Sequence, residues 1–385
     1  MTAKVQPQLI SRFLRAMKSV YGPFDRLTPA QATTWTPPPM AEGHRGRYLW
    51  TDAFGVLNLL TLGVLTSNAL YTTLAARLVD TVHDTLGRTR DGARRLPGAS
   101  DAHPLAGGLR IGKEDEEDDP GGDGDGQYHH YLTIWMFALN RMTHATGERR
   151  YNDLAIELAK AIHPRFVRDR DSARPRMYWK MSIDLSRPMV LSEGNLDPID
   201  GYVVFSLLQR SHEGNKAVLA EEIDEYRRIL ETKWRRYVSD DPLDLGMTLW
   251  TAHWFDGEEQ WATELSRRAA MCLREYLAAL DLICVEPEGM RMLTGNTGQG
   301  RCTRRRSTST HPRGTDSPFE SLAPVSALGA WWQTWPVAPQ TRTRRSTGRR
   351  SSRRCSAFGC RAWTEIRLWS QRSCSPSRWS CTPPR

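Results

Sequence analysis

Gly201-Tyr202-Val203-Val204-Phe205-Ser206-Leu207-Leu208 is apolar on nearly every face, and after the turn Glu213-Gly214-Asn215 a second helical stretch runs to residue 237. A helix that is apolar all round must be buried all round. The same pairing recurs along the chain. Roughly 48–66 pairs with 69–86, 127–146 with 151–167, 197–211 with 215–237 and 244–255 with 259–284. The first helix of a pair is apolar throughout, as in Phe54-Gly55-Val56-Leu57-Asn58-Leu59-Leu60. The second carries one apolar stripe, such as Tyr151, Leu154, Ala155, Leu158, Ala159 and Ile162, or Trp261, Leu265, Ala269, Cys272, Leu273, Tyr276 and Leu280. Fully buried helices alternating with half-exposed ones are what two concentric layers require. The expected fold is therefore all-α: an α/α toroid, incomplete at about four hairpins, with the first helix of each pair inside.

The connections support this reading. The turns Ser67-Asn68, Thr146-Gly147-Glu148, Glu213-Gly214-Asn215 and Asp256-Gly257-Glu258 combine a residue that tolerates the left-handed C-cap with acids suited to the next helix start. The long, variable links 87–126 and 168–196 fit a toroid better than a uniform solenoid. Ahead of the hairpins, Leu9, Phe13, Met17 and Val20 predict an opening helix over 8–21, and Thr34 to Gly46, with Pro37-Pro38-Pro39, reads as a linker. The expected organisation is an N-terminal helix and Pro-rich linker over 1–43, a toroid domain over 44–295 and a tail over 296–385.

The tail breaks with the rest in composition. From Arg301 to Arg385 there are seventeen Arg, no Lys, and only Asp316, Glu320 and Glu365 as acids. It carries +14 against +9 for the whole chain, which leaves −5 for the first 300 residues. A basic arm interleaved with Trp would neutralise nucleic-acid phosphates and stack on bases. Complete avoidance of Lys and scattered cysteines (Cys302, Cys355, Cys360, Cys374, Cys381) instead match GC-rich DNA translated out of frame or through an unremoved intron. The tail is read as disordered or non-native, and a nucleic-acid partner is not expected. Only Cys272 and Cys284 precede it, so no disulfide framework is implied. The N-terminus lacks the apolar stretch of a secretory signal, and the run Leu57 to Leu65 is too short to span a bilayer. A cytoplasmic protein without a membrane partner is the expectation.

Three segments resemble a known family: Gly46-Arg47-Tyr48-Leu49-Trp50-Thr51-Asp52-Ala53-Phe54, Gly107-Gly108-Leu109-Arg110-Ile111-Gly112-Lys113, and Asp125-Gly126-Gln127-Tyr128-His129-His130-Tyr131-Leu132-Thr133-Ile134-Trp135. They are similar to bacterial and fungal proteins of the six-hairpin glycosidase-like superfamily, over about residues 44 to 295. The resemblance implies an α/α toroid and carbohydrate chemistry. A full ring in that superfamily has six hairpins, and the remaining two would be encoded where the Arg-rich tail stands.

Polar and aromatic residues gather at the starts of the first helices: Trp50 and Asp52; Asp125, Gln127, Tyr128, His129 and His130; Glu193, Asn195, Asp197 and Asp200; Asp244. If the inner helices run the same way, these starts converge on one rim. Carboxylates with aromatic platforms suit a sugar or oligosaccharide substrate. A glycoside hydrolase needs two carboxyl groups across the scissile bond, and Asp52, Asp125, Glu193 and Asp197 are the candidates, with Asp125 paired to Glu193 or Asp197 preferred. Trp50, Gln127, Tyr128, His129, His130, Trp135, Asp200 and His253 are the expected substrate-binding residues.

The first rival is a sugar epimerase or isomerase using histidines, with His129 or His130 opposite His253. The second is a protein that binds a glycan or a partner without catalysis. Adjacent helical residues point about 100° apart, so His129 and His130 are not expected to share a metal. The acidic run Glu114 to Asp125 lacks the twelfth-position Glu of a calcium loop. It reads as a solvated loop, beside which Arg110 and Lys113 pair with the acids. No P-loop, dinucleotide-binding glycine motif or nucleophile elbow is present. Neither a cofactor nor a metal is expected.

Overall fold

The computed structural model describes residues 7–40, 47–118, 124–194 and 196–284. The chain divides into two units, Met1–Ser321 and Leu322–Arg385, and every described residue belongs to the first. The Arg-rich tail and its expected disorder lie outside the described residues, as do Gly46 and Asn195.

Among the described residues there are ten α-helices: α1 (Pro7–Tyr21), α2 (Pro29–Thr33), α3 (Leu49–Thr66), α4 (Leu70–Leu86), α5 (His129–Thr146), α6 (Arg150–Phe166), α7 (Asp197–Ser211), α8 (Ala220–Lys233), α9 (Pro242–Ala252) and α10 (Gln260–Cys284). Four hairpins, α3–α4, α5–α6, α7–α8 and α9–α10, follow one another. Each first helix packs on its own second helix and on the next first helix, so α3, α5, α7 and α9 form an inner row. This is the two-layer α/α arrangement expected from the alternation of apolar and amphipathic segments.

Burial explains the two helix types. In α7 every residue from Asp197 to Leu208 is buried. In α4 the buried residues recur at helical spacing (Tyr71, Leu74, Leu78, Val82, Leu86) and the other face meets solvent. A side chain such as Phe205, fully removed from water, contributes about 2–3 kcal/mol. Helix α3 has the length and apolarity of a membrane span, contrary to the expectation from the shorter run Leu57 to Leu65. Here its faces are taken up by α4, α5 and α1.

Two helix glycines make room for tyrosines. A Cβ on Gly55 in α3 would lie 2.1 Å from the Tyr21 hydroxyl, which reaches past it to Asp52 Oδ1 at 3.0 Å and ties α1 to the inner row. A Cβ on Gly201 in α7 would lie 2.5 Å from the Tyr226 ring of α8. At the α5–α6 turn Gly147 takes φ of 76° and caps α5 through its N–H to Thr143 O, the left-handed role that glycine fills without strain.

The structure departs from the expected elements in four places. Gln127–Tyr128 forms β1, a strand paired antiparallel with β4 (Lys180–Met181), rather than the first turn of a helix. The link 168–196 holds β4 and one strand of the β2–β3 pair (Val167–Arg168 with Arg176–Met177). Helix α2 was not anticipated, although Thr28 and Gln31 form the capping box that signals it. Finally, α9 is offset along the row, so that Thr251 near its end, not its start, meets Asp200 at the start of α7.

Candidate functional site

The starts of α3, α5 and α7 come together around His130. Its ring centroid lies 4.8 Å from Tyr131, 6.0 Å from Trp50, 6.0 Å from Tyr128 and 6.1 Å from Trp179. Trp50 lies tilted against Tyr131 at 5.2 Å, and Tyr128 meets Trp179 edge-on at 5.3 Å. The Lys180 ammonium sits 5.1 Å above the Tyr128 ring. Local backbone pairing places Trp179 here: its carbonyl accepts the His129 N–H at 3.0 Å, which caps α5, and its indole N–H reaches Ser192 Oγ. In the middle of this aromatic wall the His130 side chain remains 32% exposed.

Asp197 stands behind the imidazole. Its Oδ1 lies 3.3 Å from His130 Nδ1 and 3.3 Å from His129 Nδ1. The His130 contact is a hydrogen bond, whereas the His129 contact is off-line and electrostatic. Burial raises the Asp197 carboxyl, but the two facing imidazoles outweigh it and hold the group well below the usual carboxylate range. Three residues on, Asp200 behaves in the opposite way. Burial pushes it up to about 7, helped by the neighbouring charges of Asp197 and Asp244 and opposed by a 2.7 Å hydrogen bond from Thr251 Oγ1.

Several expected site residues already have structural partners. Asp52 is fully buried and held by Arg47 at 2.8 and 3.1 Å and by Tyr21. Asp125 is fully buried; its Oδ2 faces Arg110 at 3.1 Å and Arg90 at 3.3 Å, and its Oδ1 accepts the Gly112 and Gly126 N–H groups. Glu193 pairs with Lys233 at 2.8 Å. The preferred pairing of Asp125 with Glu193 or Asp197 is therefore set aside. Asp125 is saturated by two guanidiniums and two backbone donors, leaving no oxygen to exchange a proton with a sugar.

Gln127 spends its carboxamide on Gly107 O, Ile183 O and the Leu109 N–H. Trp135 is fully buried and donates to His83 Nε2 at 3.1 Å, burial holding that imidazole down at about 3. Neither can serve as a sugar platform. His129 is likewise fully buried, against Phe166 and Tyr226. His253 caps the end of α9, stacked on Trp254 with Nδ1 turned to the Trp250 carbonyl, and burial lowers it to about 4. Its contacts do not bring it opposite His130. Asp244 accepts the Tyr237 hydroxyl at 3.0 Å.

The described part of the acidic run is pinned rather than loose. Glu117 accepts the Ile183 N–H at 2.7 Å, Asp118 pairs with Arg187, and Arg90 binds the carbonyls of Lys113, Glu114 and Asp115. Residues 119–123 lie outside the described residues. Among the described residues no group of three or more His, Cys, Asp or Glu is arranged to hold a metal ion.

No protein-family model matches the sequence, and no curated protein matches it. One similar solved structure is the cellobiose 2-epimerase from Spirochaeta thermophila DSM 6192, at 14% identity over 73% of each chain with a TM-score of 0.42. At that score the likeness bears no weight for chemistry. The hairpin architecture stands on the packing of the helices themselves.

Proposed function

We propose that the protein is carbohydrate-active, binds a sugar on the aromatic wall around His130, and moves a proton at a sugar carbon as an epimerase or isomerase does. The observation that carries this reading is the half-open His130 imidazole, backed by an ionised Asp197 and ringed by Trp50, Tyr128, Tyr131 and Trp179. Trp50 and Tyr128 are buried and back the wall, whereas Tyr131 and Trp179 are half-buried. Open ring faces of this kind stack on the apolar side of a pyranose or its opened chain. Imidazole is the side chain suited to take and return a proton near neutral pH.

With Nδ1 turned to Asp197, Nε2 is the nitrogen left for substrate. It would remove the proton from the carbon beside an opened-chain carbonyl, giving an imidazolium and an enediolate. Return of that proton on the same side to the neighbouring carbon, with a hydroxyl proton passing between the two enediolate oxygens, yields the isomer. Return to the other face of the original carbon, after the enediolate turns over against the imidazolium, yields the epimer.

One observation favours a glycoside hydrolase as the second reading. Asp200 is held near 7 while Asp197 is held low, the split that separates an acid from a base. Both carboxyls, however, lie one turn apart on the same helix, whereas hydrolysis needs them on opposite sides of the bond. The test is an aldose or disaccharide incubated in deuterium oxide. Solvent deuterium entering a carbon position, lost in His130→Asn with sugar binding kept, supports proton transfer. Glycoside cleavage that survives in His130→Asn and disappears in Asp200→Asn supports the hydrolase. Binding without either reaction supports a non-catalytic glycan-binding protein.

A further inference from the structure

We propose that His129 and Tyr226 are positioning residues for His130: through Asp197 they fix which nitrogen of the His130 ring carries its proton. This rests on the reading of His130 as the proton-transfer group. The chain of contacts is continuous. The Tyr226 hydroxyl lies 2.6 Å from His129 Nε2, His129 Nδ1 lies 3.3 Å from Asp197 Oδ1, and the same oxygen lies 3.3 Å from His130 Nδ1. Neither His129 nor Tyr226 can touch a substrate, since both are fully buried.

The direction of each hydrogen bond follows from charge. Burial pushes the Tyr226 hydroxyl well above the usual phenol range, reinforced by the negative charges of Asp197, Glu222 and Glu225, so it keeps its proton. The Asp197 carboxylate, 3.3 Å from His129 Nδ1, favours a proton on that nitrogen over Nε2. His129 Nε2 is then a lone pair, and Tyr226 donates to it. The N–H of His130 points at the Asp197 carboxylate oxygen, while His129 Nδ1 lies off-line 3.3 Å from the same oxygen, and the His130 Nε2 lone pair is left facing outward. Without the tyrosine hydroxyl, the His129 proton can move to Nε2. A lone pair would then face the carboxylate, and the restraint on His130 would loosen.

The packing shows that this placement is built in. At Gly201, in the second turn of α7, the nearest atoms to an added Cβ all belong to the Tyr226 ring, which it would meet at 2.5 Å. A glycine inside a helix costs about 1 kcal/mol relative to alanine. Around the ring stand Phe205 at 5.1 Å and His163 at 4.8 Å, both edge-on, while Phe166 lies 5.4 Å from His129. Burial lowers His163 to about 3, so it is neutral and does not compete for the tyrosine proton.

Nitrogen NMR of the full chain labelled with ¹⁵N-histidine tests the proposal. In the unmodified protein His129 is expected as the Nδ1–H tautomer, with Nε2 showing a hydrogen-bonded lone pair. In Tyr226→Phe the Nε2 resonance should move to that of an unbonded nitrogen. The ratio of Nδ1–H to Nε2–H forms of His130 should fall about two- to tenfold, the worth of one net hydrogen bond. A His129 protonated on Nε2 in the unmodified protein overturns the proposal and requires no variant. So does a Tyr226→Phe protein in which the His130 ratio stays unchanged. These readings are independent of turnover. A chain that exchanges no deuterium with any sugar would overturn the proposed function and leave the tautomers to decide the positioning pair.

Discussion

Asp125→Asn separates a structural carboxylate from a catalytic one. The substitution keeps the Oδ1 that accepts the Gly112 and Gly126 N–H groups at 2.9 and 3.0 Å. It replaces Oδ2, which faces Arg110 and Arg90 at 3.1 and 3.3 Å, with an amide that itself donates. Two guanidiniums then meet a donor where an anion stood. Removing one member of a buried pair typically costs about 3–5 kcal/mol. Arg90 is 35% exposed and can turn to water, which places the expected cost near the low end, about 3 kcal/mol. In a domain of this size each kcal/mol lowers the melting temperature by about 2–4 °C, so the fall should be roughly 6–12 °C. Thermal melts followed by far-UV circular dichroism measure it. Well below the midpoint, proton exchange with sugar should continue at close to the unmodified rate. A variant that melts with the unmodified protein yet has lost all turnover would refute the structural assignment and return Asp125 to the reaction.

Other expectations follow from single contacts. Gly201→Ala forces a Cβ to within 2.5 Å of the Tyr226 ring and should destabilise the fold by about 1–3 kcal/mol. Gly246→Ala in α9, where nothing lies within 4 Å, should stabilise it by about 0.5–1 kcal/mol. Urea midpoints of the two variants moving in the same direction would contradict this. Asp200 is raised to about 7 in the folded state from an ordinary value of 3.8, so its stabilising contribution is whole below the unfolded value and lost as pH rises through 7. Asp200→Asn should therefore lose less stability than the unmodified protein between about pH 5 and about pH 8, as read from urea midpoints. Parallel profiles for the two proteins would show that Asp200 titrates normally.

Burial on all faces leaves a compositional trace, which is why the inner helices were legible. Tyr202 to Leu208 has almost no polar residue, and α3, α5 and α7 start and stop within a few residues of their expected limits. The offset of α9 was not legible, because it depends on where Thr251 meets Asp200 rather than on any local pattern. The same limit explains the misread carboxylates. Asp125 takes its partners from Arg90 and Arg110, well back in the chain, and a rim acid and a buried ion pair look alike in sequence. For Asp52 a signal was present, since Arg47 precedes it by five residues. Trp179 was missed because it belongs to a link read as a variable loop, and backbone pairing to His129 carries it to the rim. Tyr226 was missed because it lies on the outer helix α8, with only Gly201 to hint at its approach.

Deuterium exchange tests the central claim most directly. Sugars are incubated in deuterium oxide with the unmodified protein and with His130→Asn, sugar binding is confirmed for both, and label at each carbon is read by NMR. The account predicts label at a single carbon beside the carbonyl position, with the variant binding sugar and introducing none. Equal labelling by both proteins would place the proton-transfer group elsewhere. Glycoside cleavage without labelling, untouched by loss of the imidazole, would contradict the account outright.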